Sequence, residues 1–172
     1  AFLEALLPDS ALRRRIAIPD RIRLRGTAGA DKGAFSAAST LSADGGEIAL
    51  QGRLDTRSEA YGIELRCDSF PLNRFLPADS LGLIDLALQA GGSGFDPLRA
   101  QTRGNIRLQV DRAEFRGRDF GGVELNANLE GGQLSGRLSD RDEALRLLLL
   151  VSGTLTERKQ EVRLTGNVFD FD

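Results

Sequence analysis

The sequence predicts a mainly β protein, a long antiparallel meander rolled into an open half-barrel or trough with a hydrophobic concave face. The first observation is that apolar and polar residues alternate through nearly all of the chain from Ile22 onward, which is typical of strands with one dry and one solvated face. The second is that glycine-rich links such as Asp44-Gly45-Gly46 and Glu130-Gly131-Gly132 separate the alternating stretches, as tight hairpins require. The third is a glycine that recurs inside five of those stretches.

The first 20 residues do not alternate, and they predict a short helical lead-in (1–20) before a single curved antiparallel β domain (21–172). Pro8 can end a first helical turn, and Asp9 or Ser10 can cap a second short helix. The chain contains no methionine, and we interpret it as a fragment of a larger protein.

Nine stretches after this lead-in each keep their aliphatic residues at one parity, so each is predicted to be a strand. These residues are Ile22/Leu24, Ile48/Leu50/Leu54, Ile63/Leu65, Ile84/Leu86/Leu88, Ile106/Leu108/Val110, Val123/Leu125/Leu129, Leu134/Leu138, Leu145/Leu147/Leu149/Val151 and Val162/Leu164/Val168. A weaker strand over residues 35–41 brings the predicted number to about ten. The link over residues 117–122 is predicted to be a tight hairpin.

Three irregularities modify this regular pattern. Prolines bracket apolar residues at helical spacing near 71–77, which predicts one short helical turn packed over an end of the sheet. The parity changes after Val110, which predicts a bulge near Asp111 and Arg112. Residues 147–150 are all leucine, so this strand is expected to be covered on both faces.

The recurring pattern is an aliphatic residue, any residue, glycine, any residue and another apolar residue. Its five copies are Leu24-Arg25-Gly26-Thr27-Ala28, Leu50-Gln51-Gly52-Arg53-Leu54, Leu134-Ser135-Gly136-Arg137-Leu138, Val151-Ser152-Gly153-Thr154-Leu155 and Leu164-Thr165-Gly166-Asn167-Val168. Because side chains alternate with period two, each glycine lies on the same face as the flanking aliphatic residues. Glycine weakens a strand and marks a bend or a close approach to the backbone. Gly26, Gly52, Gly136, Gly153 and Gly166 are therefore predicted to face the concave side of a curved sheet.

The composition argues against most enzyme chemistry. The chain has no histidine and a single cysteine, Cys67, which removes the Cys/His dyad and the internal disulfide and leaves no zinc cluster. No acids and bases converge at short spacing, and the glycines of residues 91–97 lead into a strand rather than into the helix that a phosphate loop needs. The net charge of −2 with interspersed signs does not favour nucleic acid as a partner. We therefore predict a protein that is not an enzyme and has no cofactor and no metal, with Cys67 as a buried thiol.

An apolar sheet face can be hidden in a sandwich, in a closed barrel or in an open trough that holds a ligand. Central glycines would leave voids in a sandwich core, so they favour the trough. About ten strands at about 4.8 Å give a surface about 48 Å long, and one acyl chain spans about 15 Å, half of a hydrocarbon core. The residues predicted to line this lipid groove are Leu24, Leu50, Leu54, Leu65, Leu86, Leu88, Leu108, Leu125, Leu134, Leu138, Leu149 and Leu164.

Taken together, the sequence from residue 18 to 172 resembles the AsmA/TamB superfamily. The resemblance lies in the repeated aliphatic-x-Gly pattern, the Gly-Gly turns, the interruption Phe70-Pro71-Leu72-Asn73-Arg74-Phe75-Leu76 and the loop Gly92-Ser93-Gly94-Phe95-Asp96-Pro97. The chain most resembles an internal segment of a TamB-like translocation and assembly module protein. That resemblance implies a periplasmic segment of an inner-membrane-anchored protein of a Gram-negative bacterium, whose hydrophobic groove carries phospholipid between the inner and outer membranes. It also implies an outer-membrane assembly partner of the BamA-like barrel type, reached through the full-length protein, and it supplies no catalytic residue.

Two interpretations stay open. In the first, the leucines contact phospholipid acyl chains in a non-enzymatic conduit. In the second, the same residues form the dry core of a structural or interaction module, whose edge strands dock outer-membrane protein strands by β-augmentation. Exposed edge strands are also expected to favour self-association of the isolated segment.

Overall fold

A computed structural model describes residues 17, 19, 21–77, 80–141 and 145–171. These residues form eleven strands and one short helix, α1 (Leu72–Phe75), in a single open antiparallel sheet. The strands are β1 (Ile22–Asp31), β2 (Ala34–Ala43), β3 (Gly46–Asp55), β4 (Ala60–Pro71), β5 (Leu81–Ser93), β6 (Arg103–Phe115), β7 (Arg118–Phe120), β8 (Val123–Glu130), β9 (Gln133–Arg141), β10 (Leu145–Leu155) and β11 (Gln160–Phe171). The predicted all-β open trough is confirmed, whereas the predicted helical lead-in lies outside the described residues except for Ala17 and Pro19.

With β7 set aside, each strand pairs with the next along the chain, so the sheet is a meander from β1 to β11, and β7 is a side branch on β6. β7 pairs with the last residues of β6, Phe120 lying opposite Ala113, while the preceding part of β6 pairs with β8. The prediction of a simple tight hairpin over residues 117–122 is therefore wrong, because this link contains a short strand. Arg112 Nε lies 3.1 Å from Asp119 Oδ1, and this cross-strand ion pair supports a pairing that local turn signals do not encode.

A bulge at Asp111 changes the side-chain alternation of β6. Arg112 lies opposite Asp85, but Val110 lies opposite Leu86, so Asp111 is the additional residue. This confirms the bulge that the change of parity predicts.

A second bulge, which the sequence pattern did not indicate, lies in β4 between Cys67 and Phe70. Ser69 within it has φ 45°, and its N–H donates to Asp85 Oδ1 at 2.5 Å. The carboxylate thus satisfies a backbone donor that the bulge takes out of the ladder. Asp85 therefore has a structural partner in the bulge.

The buried core is small and lies where one set of strand ends of β1 to β5 meets α1, which we call the closed end. Cys67 and Phe70 are buried there, and Phe75 of α1 stacks on Phe70 with the ring centroids 5.0 Å apart. Arg74 Nε of α1 lies 3.1 Å from Asp44 Oδ2 in the link between β2 and β3. The predicted helical turn over an end of the sheet and the predicted buried thiol are both confirmed.

The sheet curls toward its apolar face near the closed end. Cα atoms of β2 and β4, which β3 separates, approach within 8 Å, whereas strands two apart in a flat sheet are about 9.6 Å apart. Gly46 permits this approach, because a Cβ at that position would clash with the backbone of Ser69 and Phe70. The curvature makes the apolar face the inner surface of the trough.

The convex face carries two leucines of β10. Leu150 lies opposite Arg137 and Thr165, and Leu148 lies opposite Ser139. Leu150 is 46% exposed, so the described residues do not provide the second cover that the sequence predicts for residues 147–150.

Candidate hydrophobic groove

Leucines from seven neighbouring strands lie directly opposite one another across the concave face. We call this set the leucine row; its members, from β3 to β10, are Leu50, Leu65, Leu88, Leu108, Leu125, Leu138 and Leu149. Six steps between strands at about 4.8 Å make the row about 29 Å long. Small residues continue it at both ends, with Ser39 and Gly26 beyond Leu50 and Gly166 beyond Leu149. The row runs across the strands.

A second row beside it consists mainly of small residues alternating with branched ones, and we call it the small-residue row. From β1 to β11 its members are Ala28, Ala37, Gly52, Ile63, Ala90, Ile106, Ala127, Gly136, Val151 and Leu164. Alanine and glycine leave space above the backbone that larger side chains would fill. The small-residue row is therefore a depression that follows the leucine row across the strands.

A third row lies nearer to the strand ends opposite the closed end, which we call the open end. Its members are Ala30, Phe35, Leu54, Tyr61, Gly92, Gly104, Leu129, Leu134, Gly153 and Val162. The Tyr61 hydroxyl lies 2.8 Å and 3.3 Å from the places where a Cβ at Gly92 and at Gly104 would sit. The tyrosine side chain thus covers two glycines that would otherwise expose bare backbone.

All twelve predicted leucines and all five predicted glycines lie on this concave face in the observed register. Leu65 and Leu86 pack against the buried cluster at the closed end, so they belong to the core as well as to the groove wall. Leu24 lies on the edge strand β1 and is exposed.

The five predicted glycines do not all provide free space. A Cβ at Gly52 would have no neighbour closer than 4.0 Å, so this position is open. At Gly153 a Cβ would meet the carbonyl oxygen of Glu161 on the adjacent strand, and at Gly166 the space is occupied by the Leu149 side chain. Gly52 is therefore a depression in the wall, whereas Gly153 permits a close approach of strands.

The concave face is open to solvent rather than covered by a second layer. Leu50 is 42% exposed and Ile106 is 44% exposed although both lie well inside the sheet. Extensive contacts among the described strands join neighbours in the sheet, apart from the approach of β2 to β4. The described residues therefore form an open apolar surface and not the filled core of a sandwich.

An apolar cavity of about 880 Å³ lies at the open end of the groove. Phe35, Leu54, Tyr61, Ile63 and Phe95 contribute its large apolar and aromatic side chains. The rings of Tyr61 and Phe95 stack with centroids 6.3 Å apart and an interplanar angle of 29°. This aromatic pair forms one wall of the cavity.

Phe95 is held in place by a well-bonded loop between β5 and β6. Gly94 has φ 85°, a conformation that suits glycine, and its N–H donates to the carbonyl oxygen of Glu59 at 3.1 Å. The buried Thr102 donates from Oγ1 to the carbonyl oxygen of Asp96 at 2.5 Å. Phe95 is nevertheless 55% exposed, so the loop presents an aromatic ring at the rim of the groove.

Sequence reasoning left several groove residues out of the predicted lining, among them Phe35, Tyr61, Ile63, Phe95 and Ile106. The parity of Ile63 and Ile106 relative to the predicted leucines already indicated the same face. Phe95 carried no such signal, because it lies in a loop and reaches the groove through contacts with a distant part of the chain.

The described part of the chain offers few other functional features. It contains no helix that is long and apolar enough to cross a bilayer. Its cysteine and acidic residues form no group of three or more that could hold a metal ion. Comparison of the chain with protein-family models, with curated proteins and with solved structures finds no match.

Proposed function

We propose that this protein is a non-enzymatic lipid conduit, which shields phospholipid acyl chains in its hydrophobic trough. The leucine row carries the proposal, because seven leucines in unbroken succession line a face that the described residues leave open to solvent. A row about 29 Å long holds one acyl chain of about 15 Å lengthwise, with room for a second behind it. Burial of about 16 methylenes at about 0.8 kcal/mol each gives an upper limit near 13 kcal/mol before entropic costs.

The chemistry of the groove favours an acyl chain over a peptide. The backbone N–H and C=O groups of the inner strands are used in the ladders between neighbours. A peptide lying in the groove would therefore leave its own backbone groups without partners, at a cost of about 1–3 kcal/mol for each buried group. An acyl chain has no such groups and gains from every apolar contact.

We place the protein in the AsmA/TamB superfamily as part of the same proposal. An open trough with an uncovered apolar face is the architecture that this resemblance implies, and the Gly92-to-Pro97 motif forms the loop that carries Phe95. In this proposal the segment lies in the periplasm of a Gram-negative bacterium and moves phospholipid between the two membranes. Its full-length protein meets an outer-membrane assembly barrel of the BamA-like type.

Photo-crosslinking at matched positions tests the conduit. A photoreactive amino acid at Leu50 or Leu134 faces the groove, whereas the same amino acid at Gln51 or Ser135 faces the convex side of the same strand. We expect lipid adducts, identified by mass spectrometry, at the two leucine positions and none at their neighbours. Edge positions that capture outer-membrane proteins, with no lipid at Leu50 and Leu134, would refute the conduit and support strand docking by β-augmentation.

A further inference from the structure

The convex face of the sheet carries amide and arginine side chains in two neighbouring rows, which we call the polar strip. The strip crosses β3, β4, β5, β6, β8 and β9 on the side opposite the leucine row. Its first row consists of Gln51, Glu64, Gln89, Arg107, Asn126 and Arg137, and its second row of Arg53, Gly62, Gly91, Asn105, Asn128 and Ser135. Five steps between strands at about 4.8 Å make the strip about 24 Å long. None of its members has an apolar side chain.

Two adjoining depressions follow the polar strip. One, of about 450 Å³, is lined by residues of β1 to β6, and the other, of about 460 Å³, by residues of β6, β8 and β9. Asn105 lines both depressions, so they are continuous. Gly62 and Gly91 leave bare backbone in the first, and the Arg53 side chain lies across Gly62, with Nε 2.9 Å from the place where a Cβ would sit. The strip is therefore a shallow groove with a guanidinium group along its floor.

The three arginines of the polar strip keep hydrogen-bond donors available for a ligand. Among the described residues, no side chain forms an ion pair or a hydrogen bond with Arg53 or Arg137. Arg107 donates from Nε to Oδ1 of Asn126 at 3.1 Å, which orients its guanidinium group and leaves the other N–H groups unused. A guanidinium group has five N–H donors in a planar fork.

The charge of the polar strip differs from that of its surroundings. On the same face beside the strip, Arg66 Nε lies 3.3 Å from Asp68 Oδ1, and Arg103 Nε lies 3.5 Å from Glu130 Oε1. Within the strip, three arginines and the single acidic residue Glu64 give a net charge of +2, although the whole chain has a net charge of −2. The strip is thus complementary to an anionic ligand.

The side chains of the polar strip fit an anionic glycan better than other polyanions. Guanidinium groups bind carboxylate and phosphate in paired hydrogen bonds, and amide side chains both donate and accept, as the hydroxyl groups of a sugar require. Single-stranded nucleic acid binds largely by stacking its bases on aromatic side chains, which the strip lacks. A peptide gains affinity from strand addition or from apolar anchors, but the strands of the strip are already paired on both sides and none of its side chains is apolar.

We propose that the polar strip binds an extended anionic glycan, whose acidic groups contact the three arginines and whose hydroxyl groups contact the amides. Arg107 and Arg137 lie two strand steps apart, or about 9.6 Å, and Arg53 and Arg107 lie three steps apart, or about 14 Å. Such wide intervals suit a glycan with spaced acidic groups better than nucleic acid, which carries one charge per about 3.4 Å of each strand. The glycan and the acyl chain lie on opposite faces, so this binding holds or fails independently of the proposed function.

Fluorescence anisotropy with a labelled hyaluronan oligosaccharide tests the proposal, because this linear glycan carries one carboxylate on every second sugar. We expect the wild-type chain to bind it, and more weakly as salt is added. Arg107→Gln and Arg137→Gln should each reduce affinity about fivefold, and the double variant about twentyfold, since charge-assisted hydrogen bonds are lost. Arg66→Gln and Arg103→Gln are the matched controls, because each removes the same charge from the same face outside the strip, and they should bind like the wild type.

Asn128→Ala tests the role of the amides, because it leaves the net charge unchanged. We expect it to weaken hyaluronan binding about fivefold through loss of hydrogen bonds to sugar hydroxyl groups. An Asn128→Ala chain that binds like the wild type would reduce recognition to charge and overturn the assignment of a glycan.

Several other outcomes would overturn the proposal. No binding of hyaluronan at low salt would exclude the site, and equal losses in the strip and control variants, all folded by circular dichroism, would show binding to general surface charge. Tighter binding of poly-glutamate would indicate an acidic peptide as the ligand, and tighter binding of single-stranded DNA would indicate nucleic acid. Lipid adducts at Leu50 in a chain that does not bind hyaluronan would overturn this inference and leave the lipid conduit intact.

Discussion

Shortening Leu50 of the leucine row or Ile106 of the small-residue row should weaken lipid binding, because a bound acyl chain would bury the part of each side chain that is exposed in the free chain. Leu50 is 42% exposed and Ile106 is 44% exposed in the free chain, and a bound acyl chain would cover both. Full burial of such a side chain is worth about 1.5–3 kcal/mol, so covering this remaining fraction is worth about 1 kcal/mol. Leu50→Ala or Ile106→Ala should each reduce affinity about fivefold, and the double variant about thirtyfold, since distant sites add.

Displacement of a dansyl-labelled fatty acid by unlabelled phospholipid measures these affinities. The chain has no tryptophan, so the probe can be excited without tryptophan background. Gln51→Ala is the matched control, because Gln51 adjoins Leu50 in β3 but faces the convex side. Equal loss of binding in Gln51→Ala and Leu50→Ala, or a folded double variant that binds like the wild type, would contradict the placement of the acyl chain on this face.

Three further changes test the groove geometry and the closed end. Ala37→Phe should fill the depression beside the leucine row and abolish displacement of the fatty-acid probe. Ala38→Phe, on the opposite face of β2, should leave this displacement unchanged. Equal effects of the two substitutions would contradict the assignment of faces. Gly52→Ala should raise the free energy of unfolding in urea by about 0.5–1 kcal/mol, because this glycine is extended and an added Cβ would have no neighbour closer than 4.0 Å. Gly153→Ala should lower the free energy of unfolding, since its Cβ would meet a backbone carbonyl. The reverse order would contradict this distinction between the two glycines. Burial, with lesser effects from Asp68 and Asp85, raises the pKa of the Cys67 thiol. The folded chain should therefore react with an aromatic disulfide reagent at mildly alkaline pH much more slowly than the urea-unfolded chain does. Fast reaction without denaturant would contradict a packed closed end.

The strands and their faces could be predicted from the sequence because alternation is a local property. Parity alone placed Leu108 and Leu125 on one face and predicted the bulge at Asp111. Parity could not show that Leu108 lies directly opposite Leu125, because that depends on the register between strands, which turn geometry and nonlocal packing determine. The leucine row therefore became visible only in the structure.

The features that sequence reasoning missed depend on contacts between distant residues. The bulge at Ser69 forms where Asp85, 16 residues away, accepts its backbone N–H. Phe95 reaches the groove through Tyr61, and neither residue belongs to the recurring glycine pattern. The strand β7 forms because β6 extends past the start of β8 and offers an edge for pairing.

Because the buried core is small, a ligand bound in the groove is expected to stabilise the fold. The fully buried apolar residues among those described are confined to the closed end, so most of the sheet depends on strand pairing and on half-buried leucines. A ligand that binds only the folded chain stabilises it by mass action. An acyl chain in the groove would thus bury the half-exposed leucines and raise the free energy of unfolding.

Native mass spectrometry of the chain purified without detergent from a bacterial host shows whether the groove holds lipid. We expect wild-type protein to carry additional mass equal to one or more phospholipids, Ala37→Phe to lose that mass, and Ala38→Phe to retain it. A wild-type chain that is folded and free of lipid even after incubation with phospholipid vesicles, or lipid carried equally by both variants, would contradict the lipid conduit.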